Sequence, residues 1–101
     1  MDDNWHVLII ETINGYRGRD LTHAIPVGAH LETAIAHAAR LAAEHQPRHP
    51  MVPRSRQVFH TPPHTWTVRV LGATRSFSFT VQVANLVSEQ TSGATPPGVR
   101  Y

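Results

Sequence analysis

Metal binding is the first chemistry to consider in this sequence, because the chain contains eight histidines and neutral imidazole is a common metal ligand. His30, His37 and Glu44 follow one line along a predicted helix. Residues seven positions apart in a helix lie about 10 Å apart along its axis, whereas zinc donors each lie about 2 Å from the same ion. These three side chains therefore cannot share one metal ion.

Two closer histidine pairs have a spacing that would suit a metal site on a helix: His45 with His49, and His60 with His64. Prolines separate the members of each pair, so neither pair can lie on one face of a helix. The sequence therefore predicts exposed histidines, with no metal site and no cofactor.

Catalytic chemistry has little support in the sequence. The chain has no cysteine, and it contains no nucleophile-elbow, zinc-protease or phosphate-loop motif. Glu11 and Asp20 fall on one predicted hairpin, where two carboxylates can share acid–base work, but ion pairing with Arg17 or Arg19 is the favoured interpretation. We assign no catalytic residue, and a non-enzymatic function is favoured over an enzymatic one.

Recognition of a partner needs only a shaped surface, and the sequence indicates where one would lie. Arg54 and Arg56 follow a proline-rich stretch, and Thr65, Thr67 and Arg69 alternate along one side of a predicted strand. These five residues form the predicted partner-binding surface. Nucleic acid is a less favoured partner, because the aromatic residues nearby fall on the opposite side of the sheet, where they cannot stack on bases.

A pocket between the helix and the sheet is the alternative site. Tyr16, His37 and Trp66 would line this pocket, and a few polar groups in an apolar cavity are enough to bind a small ligand. Under this alternative the protein is a ligand-binding domain or a small enzyme.

The elements that must position these residues follow the order β-β-α-β-β-β. Residues 5–12 are rich in β-branched and aromatic side chains and precede Asn14-Gly15, which suits a two-residue hairpin turn. With that turn, Ile10 would face Arg19. The second strand is mostly polar, which indicates a sheet edge, whereas the first is apolar on both sides, which indicates an interior position.

The helix is predicted over residues 30–45, which contain no glycine or proline and are dominated by good helix formers. At about 100° per residue, one arc of this helix is apolar. Its members are Leu31, Ala34, Ile35, Ala38, Leu41 and Ala42. We expect this arc to pack on one face of an antiparallel sheet, and Pro47 to end the helix. A short third strand follows at 57–60.

The last two predicted strands, residues 65–71 and 75–84, alternate apolar and polar side chains, as strands with one buried side do. The apolar side consists of valines and aromatic residues: Trp66, Val68, Val70, Phe77, Phe79, Val81 and Val83. A two-residue turn at 72–73 would pair Val68 with Phe77.

The length of 101 residues fits one domain. We expect a single α+β domain over residues 1–87 and a flexible tail over 88–101. The N-terminal residues lack the pattern of a secretory signal and the apolar runs are too short to cross a bilayer, so we expect a cytoplasmic protein without a membrane partner. The chain contains nine arginines and no lysine, a composition typical of a GC-rich bacterium.

The apolar side of the predicted sheet is wider than one helix can cover. Strands lie about 4.8 Å apart, and a helix is about 10 Å wide. A second copy of the chain is the favoured cover, so we expect a homodimer formed through the sheet or its edge. Without a catalytic motif, the sequence indicates a non-catalytic interaction or regulatory protein, of adaptor or immunity type, that acts by binding a protein partner.

Overall fold

The computed structural model describes residues 3–12, 18–47 and 53–91. Within them, five strands form one antiparallel sheet and a helix packs against it, which confirms the predicted α+β fold. The elements in chain order are β1 (Trp5–Thr12), β2 (Arg19–Gly28), α1 (Leu31–Glu44), β3 (Ser55–Thr61), β4 (Thr65–Leu71) and β5 (Ser76–Asn85). No helix in this part of the chain has the length and apolarity that crossing a membrane requires.

The strands lie in the order β2-β1-β5-β4-β3, and every neighbouring pair is antiparallel. Strand β1 is interior and β2 is an edge, as their apolar and polar patterns predict. Strand β5 occupies the centre because it pairs with β1 on one side and β4 on the other. The first and last strands in chain order are thereby paired with each other in the interior of the sheet.

Helix α1 is the predicted helix, shortened by one residue at each end. Gly28, whose φ of 133° disfavours any side chain, ends β2 shortly before it. The helix ends at Glu44, and His45 follows in an extended conformation. Ala34, Ala38 and Ala42 are fully buried against the sheet, and such small side chains allow a helix to approach the strands closely.

The core lies between α1 and one face of the sheet. It contains residues of the predicted apolar side of β4 and β5, together with alternate residues of β1. Its buried members are Val7, Ile9, Ala34, Ala38, Ala42, Trp66, Val68, Val70, Phe79 and Val81. Ile35 and Leu41 of the helix pack against these residues while staying partly exposed. The predicted helix stripe is therefore confirmed.

The predicted turn between the last two strands is wrong. Leu71 faces Ser76, so four residues, 72–75, join β4 to β5, and the backbone N–H of Gly72 donates to the carbonyl oxygen of Arg75 at 2.8 Å. Val68 consequently pairs with Phe79 rather than with Phe77. The slip is two residues, and an even slip keeps every side chain on its predicted side.

The predicted register of the first hairpin is also wrong. Ile10 faces Leu21, and Arg19 faces Thr12 instead. The predicted turn at Asn14-Gly15 lies outside the described residues, as does most of the predicted tail. The third strand is longer than predicted, at Ser55–Thr61.

Candidate functional site

Three titratable side chains meet on the helix-facing side of the sheet, where the chain leaves α1. Glu11 follows Val7 and Ile9 on the core side of β1, because alternate residues of a strand share a side. His23 pairs with Ile9 across β1 and β2, so it lies on that side too. His45 is the residue that ends the helix. We refer to Glu11, His23 and His45 as the Glu-His-His cluster.

A β-bulge in β2 adjusts the position of His23 relative to Glu11. The register shifts by one residue after the Ile9–His23 pair and leaves Thr22 as the extra residue, and such bulges commonly redirect side chains. The Thr22 hydroxyl donates to Glu11 Oε2 at 2.6 Å and lies 3.2 Å from the carbonyl oxygen of Ile9. The bulge thus supplies the group that orients the carboxylate.

Both imidazole rings approach the same carboxylate without a hydrogen bond to it. His45 Nε2 lies 3.7 Å from Glu11 Oε1, and His23 Nδ1 lies 3.8 Å from Glu11 Oε2. Both separations exceed the hydrogen-bond range of about 2.7–3.2 Å. The two rings meet edge to face, with 5.2 Å between their centroids. One donor atom from each of the three residues lies within 4.8 Å of the other two.

The inner wall of the cluster is formed by Phe79 and Arg56. The Phe79 ring meets the His45 ring edge to face at 5.1 Å, and the Arg56 guanidinium lies 5.8 Å from the centre of the Phe79 ring. Arg56 also donates to the carbonyl oxygens of Ala42 and His45, at 2.9 and 2.6 Å. This arginine therefore satisfies two carbonyl groups at the end of α1 and fixes the backbone of His45.

Burial lowers the pKa of His45 below its usual 6.5. The negative charge of Glu11 opposes this shift, whereas the charges of His23 and Arg56 add to it. His45 Nε2 is buried and has no hydrogen-bond partner among the described residues. The cluster thus presents a carboxylate and two imidazoles, and the lowered pKa of His45 favours the neutral form of the ring that has the unsatisfied nitrogen. This donor set suits a transition-metal ion.

The predicted partner-binding residues divide between the two faces of the sheet. Thr65, Thr67 and Arg69 lie on the face away from α1, and the Arg69 guanidinium donates to the Gln57 side chain. Arg56 lies on the helix-facing side, where it is committed to the end of α1. Arg54 is exposed beside the start of β3. The structure therefore brings together three of the five residues.

The structure describes two of the three residues of the predicted pocket. Trp66 is buried on the helix-facing side of the sheet, where its indole stacks on the His60 ring with 4.8 Å between the centroids. His37 is half-buried on α1. Tyr16 lies outside the described residues, so its place in the alternative pocket stays a prediction.

The face of the sheet away from α1 carries a row of paired side chains that crosses all five strands: Leu21, Ile10, Thr80, Thr67 and Phe59. The two ends of the row are apolar and equally exposed, at 51% each for Leu21 and Phe59. At its centre Thr80 is buried and accepts a hydrogen bond from Arg19 at 2.6 Å. We refer to these five residues as the open-face row.

Sequence reasoning missed the Glu-His-His cluster. It tested histidines at short spacings, whereas the members of the cluster come from two strands and a helix end and are far apart in the chain. One signal was available: Glu11 continues the alternation of Val7 and Ile9, which places a carboxylate on the buried side of an apolar strand. Carboxylates there need a partner.

No protein family, no curated protein and no solved structure compared with this chain matches it. The geometry of the described residues is therefore what bears on the function of the protein.

Proposed function

We propose that this protein is a non-catalytic interaction protein that pairs through the outer edge of β3, and that a second copy of the chain binds there to form a homodimer. The observation that carries this proposal is an unguarded edge strand with large apolar side chains. Val58 and Phe59, adjacent in β3, are 44% and 51% exposed. Within the described residues β3 is paired on one side, by β4 alone, so its other side can accept a strand.

The two edges of the sheet differ in how they are protected. Strand β2 contains Pro26, two register irregularities and the charged residues Arg19 and Asp20, and all of these features discourage the addition of another strand. Strand β3 has no proline, and its register with β4 is regular over seven residues. Its one formally charged residue, Arg56, is directed toward the end of α1.

A second copy of the chain fits this edge because β3 is nearly neutral along its exposed side. Two antiparallel β3 strands related by a two-fold axis would pair residue i of one copy with residue j of the other and j with i, with little charge repulsion between them. Two-fold dimers are also the commonest protein assembly. The open-face row ends at Phe59, so the same contact would bring Thr67 close to the interface. The predicted recognition residues Thr65, Thr67 and Arg69 would then border the joint surface.

The mass of the protein in solution tests this proposal. Sedimentation velocity over a wide range of concentrations is expected to show a species of twice the 11.2 kDa chain mass. Phe59→Lys is expected to shift the protein to the monomer, because a charge on an edge strand blocks strand pairing. Leu21→Lys is the matched control, since Leu21 is equally exposed on the opposite edge, and it is expected to leave the dimer intact.

Three outcomes would contradict the proposal. If the wild-type chain stays monomeric at every concentration, the partner that binds β3 is not a second copy of the chain. Dimerisation that survives Phe59→Lys but not Leu21→Lys would place the contact at β2. Loss of the dimer in both variants would indicate packing through the open-face row instead of the β3 edge. The predicted cytoplasmic location is independent of these outcomes and stays a prediction.

A further inference from the structure

The Glu-His-His cluster has the composition of a metal site but no role in the contact at β3. Its members come from three different elements, β1, β2 and the end of α1. Each offers a donor atom within 4.8 Å of the other two. Three residues that are distant in the sequence, all of types that bind metal ions, therefore converge at one point. The packing of any single side chain does not account for this convergence.

The unsatisfied nitrogen of His45 is the second observation. A buried polar atom without a hydrogen bond costs about 1–3 kcal/mol, and His45 Nε2 is such an atom within the described part of the chain. It faces Glu11 Oε1 across a gap of 3.7 Å. This gap is too long for a hydrogen bond and close to the spacing of two atoms that share a metal ion.

We propose that Glu11, His23 and His45 bind one divalent transition-metal ion, with Zn²⁺ the preferred ion. Zinc takes nitrogen and oxygen ligands at about 2.0–2.2 Å, so that tetrahedral donors lie about 3.3 Å from one another. The two imidazole nitrogens lie 3.7 and 3.8 Å from different oxygens of Glu11. The three donor atoms, which lie within 4.8 Å of one another, need to draw together by up to about 1.5 Å around the ion. Calcium and magnesium prefer sites made of oxygen atoms, and the two imidazoles disfavour both.

The surroundings support the ligands in the way that metal sites require. The Thr22 hydroxyl holds the Glu11 carboxylate at 2.6 Å, and Arg56 holds the backbone of His45 at 2.6 Å; such second contacts orient the ligands of an ion. Burial lowers the pKa of His45, which favours the neutral imidazole, and this is the form that binds metal. The positive charge of Arg56 opposes the ion, although its donors are committed to two carbonyl groups.

Three protein ligands leave one tetrahedral position for a water molecule. His23 is the ligand nearest to solvent, since about half of its side chain is exposed, whereas the side chains of Glu11 and His45 are 15% and 14% exposed. The fourth position therefore opens toward His23 and the surface. Three protein ligands with one exchangeable position are the coordination of catalytic zinc sites, whereas structural zinc sites are closed by four protein ligands.

Calorimetric titration of the full chain, first stripped with a chelator, tests the site. Zinc chloride is expected to bind with a stoichiometry of one ion per chain, and cobalt chloride is expected to give the intense visible absorption of a tetrahedral site. Magnesium chloride is expected to give no signal. Glu11→Gln and His45→Gln are each expected to weaken zinc binding by at least about tenfold, since each removes a direct ligand and even supporting contacts are worth that much.

Matched controls separate this site from the other histidines of the chain. His30→Gln and Glu44→Gln change exposed residues of the same types at the two ends of α1, and both are expected to keep wild-type affinity. Circular dichroism in the presence of chelator shows which variants are folded. If His45→Gln does not fold, a folded Glu11→Gln is enough to test the site. Zinc affinity that is unchanged in a folded Glu11→Gln would overturn the proposal. So would binding that is lost in His30→Gln, because adventitious surface sites would then account for it.

Discussion

The protonation of His45 is governed by groups from four elements. The carboxylate of Glu11 on β1 favours the charged imidazole, while His23 on β2 and Arg56 on β3 disfavour it. Phe79 on β5 contributes an apolar wall at 5.1 Å. Burial is the largest of these influences, and it lowers the pKa of His45 from 6.5. A histidine held neutral in this way links the stability of the fold to pH.

The sign of this link follows from the direction of the shift. In the unfolded chain His45 titrates near pH 6.5, and in the folded chain it titrates lower. Between these two values the unfolded state binds more protons, so the free energy of unfolding falls as the pH drops below about 6.5 and levels off below the native pKa. From about pH 7.5 upward both states are almost entirely neutral, and His45 adds no further pH dependence.

We expect His45→Gln to remove this part of the acid sensitivity. Urea unfolding at several pH values between 7.5 and 5, with chelator present, measures the free energy of unfolding for the wild type and the variant. The wild-type loss on acidification should be larger than that of His45→Gln. His30→Gln serves as the comparison and should follow the wild type; equal losses in wild type and His45→Gln would show that burial of this imidazole has no effect on stability.

At the scale of the element, the end of α1 is secured by a residue from another part of the chain. A helix leaves its last carbonyl groups without internal partners, and its C-terminal end attracts a positive charge. The last turn of α1 contains no basic residue of its own. Arg56 provides the charge from β3, with hydrogen bonds to Ala42 and His45.

Arg56→Gln is therefore expected to lower the free energy of unfolding by about 1–3 kcal/mol, the usual range for hydrogen bonds from a charged group that leave carbonyls unpaired when lost. Arg54→Gln offers a control two residues away, with the same change of charge at an exposed position, and should change stability by less than about 0.5 kcal/mol. Chemical denaturation compares the two. Equal effects would indicate that net charge, and not the end of α1, is responsible.

The positions of the strands and the helix could be predicted from the sequence because they depend on local patterns of apolar and polar residues. The alternation around Trp66 and Phe79 predicts the buried side of the sheet correctly even though the predicted turn is wrong, since a two-residue slip returns each side chain to its own side. Loop length carries no such signal. The four residues at 72–75 and the bulge at Thr22 both depend on contacts between strands, which a single sequence does not reveal.

At the scale of the whole molecule, the candidate sites depend on how distant segments meet. The Glu-His-His cluster forms because β1 pairs with β2 while α1 ends above β5, and none of these contacts is local in sequence. Strand β3 is the last strand of the sheet among the described residues because β4 and β5 separate it from β1. Sequence patterns predicted that β2 would be an edge but left the second edge undetermined.

The two proposed sites use different residues and should act on stability independently. A ligand that binds the folded chain raises its melting temperature according to free ligand concentration, whereas self-association makes the melting temperature depend on protein concentration. Phe59 belongs to β3 and Glu11 to β1, on opposite faces of the sheet. Separated sites without shared partners have nearly additive effects.

We therefore expect Phe59→Lys to keep the rise in melting temperature caused by zinc chloride while losing the dependence on protein concentration. Glu11→Gln should do the reverse. Differential scanning fluorimetry of both variants, at several protein concentrations with and without zinc, measures the two effects together. Loss of the zinc effect in Phe59→Lys would contradict independence. Because Arg56 connects β3 to the backbone of His45, Arg56→Gln would then test whether the arginine carries a change at the edge to the cluster.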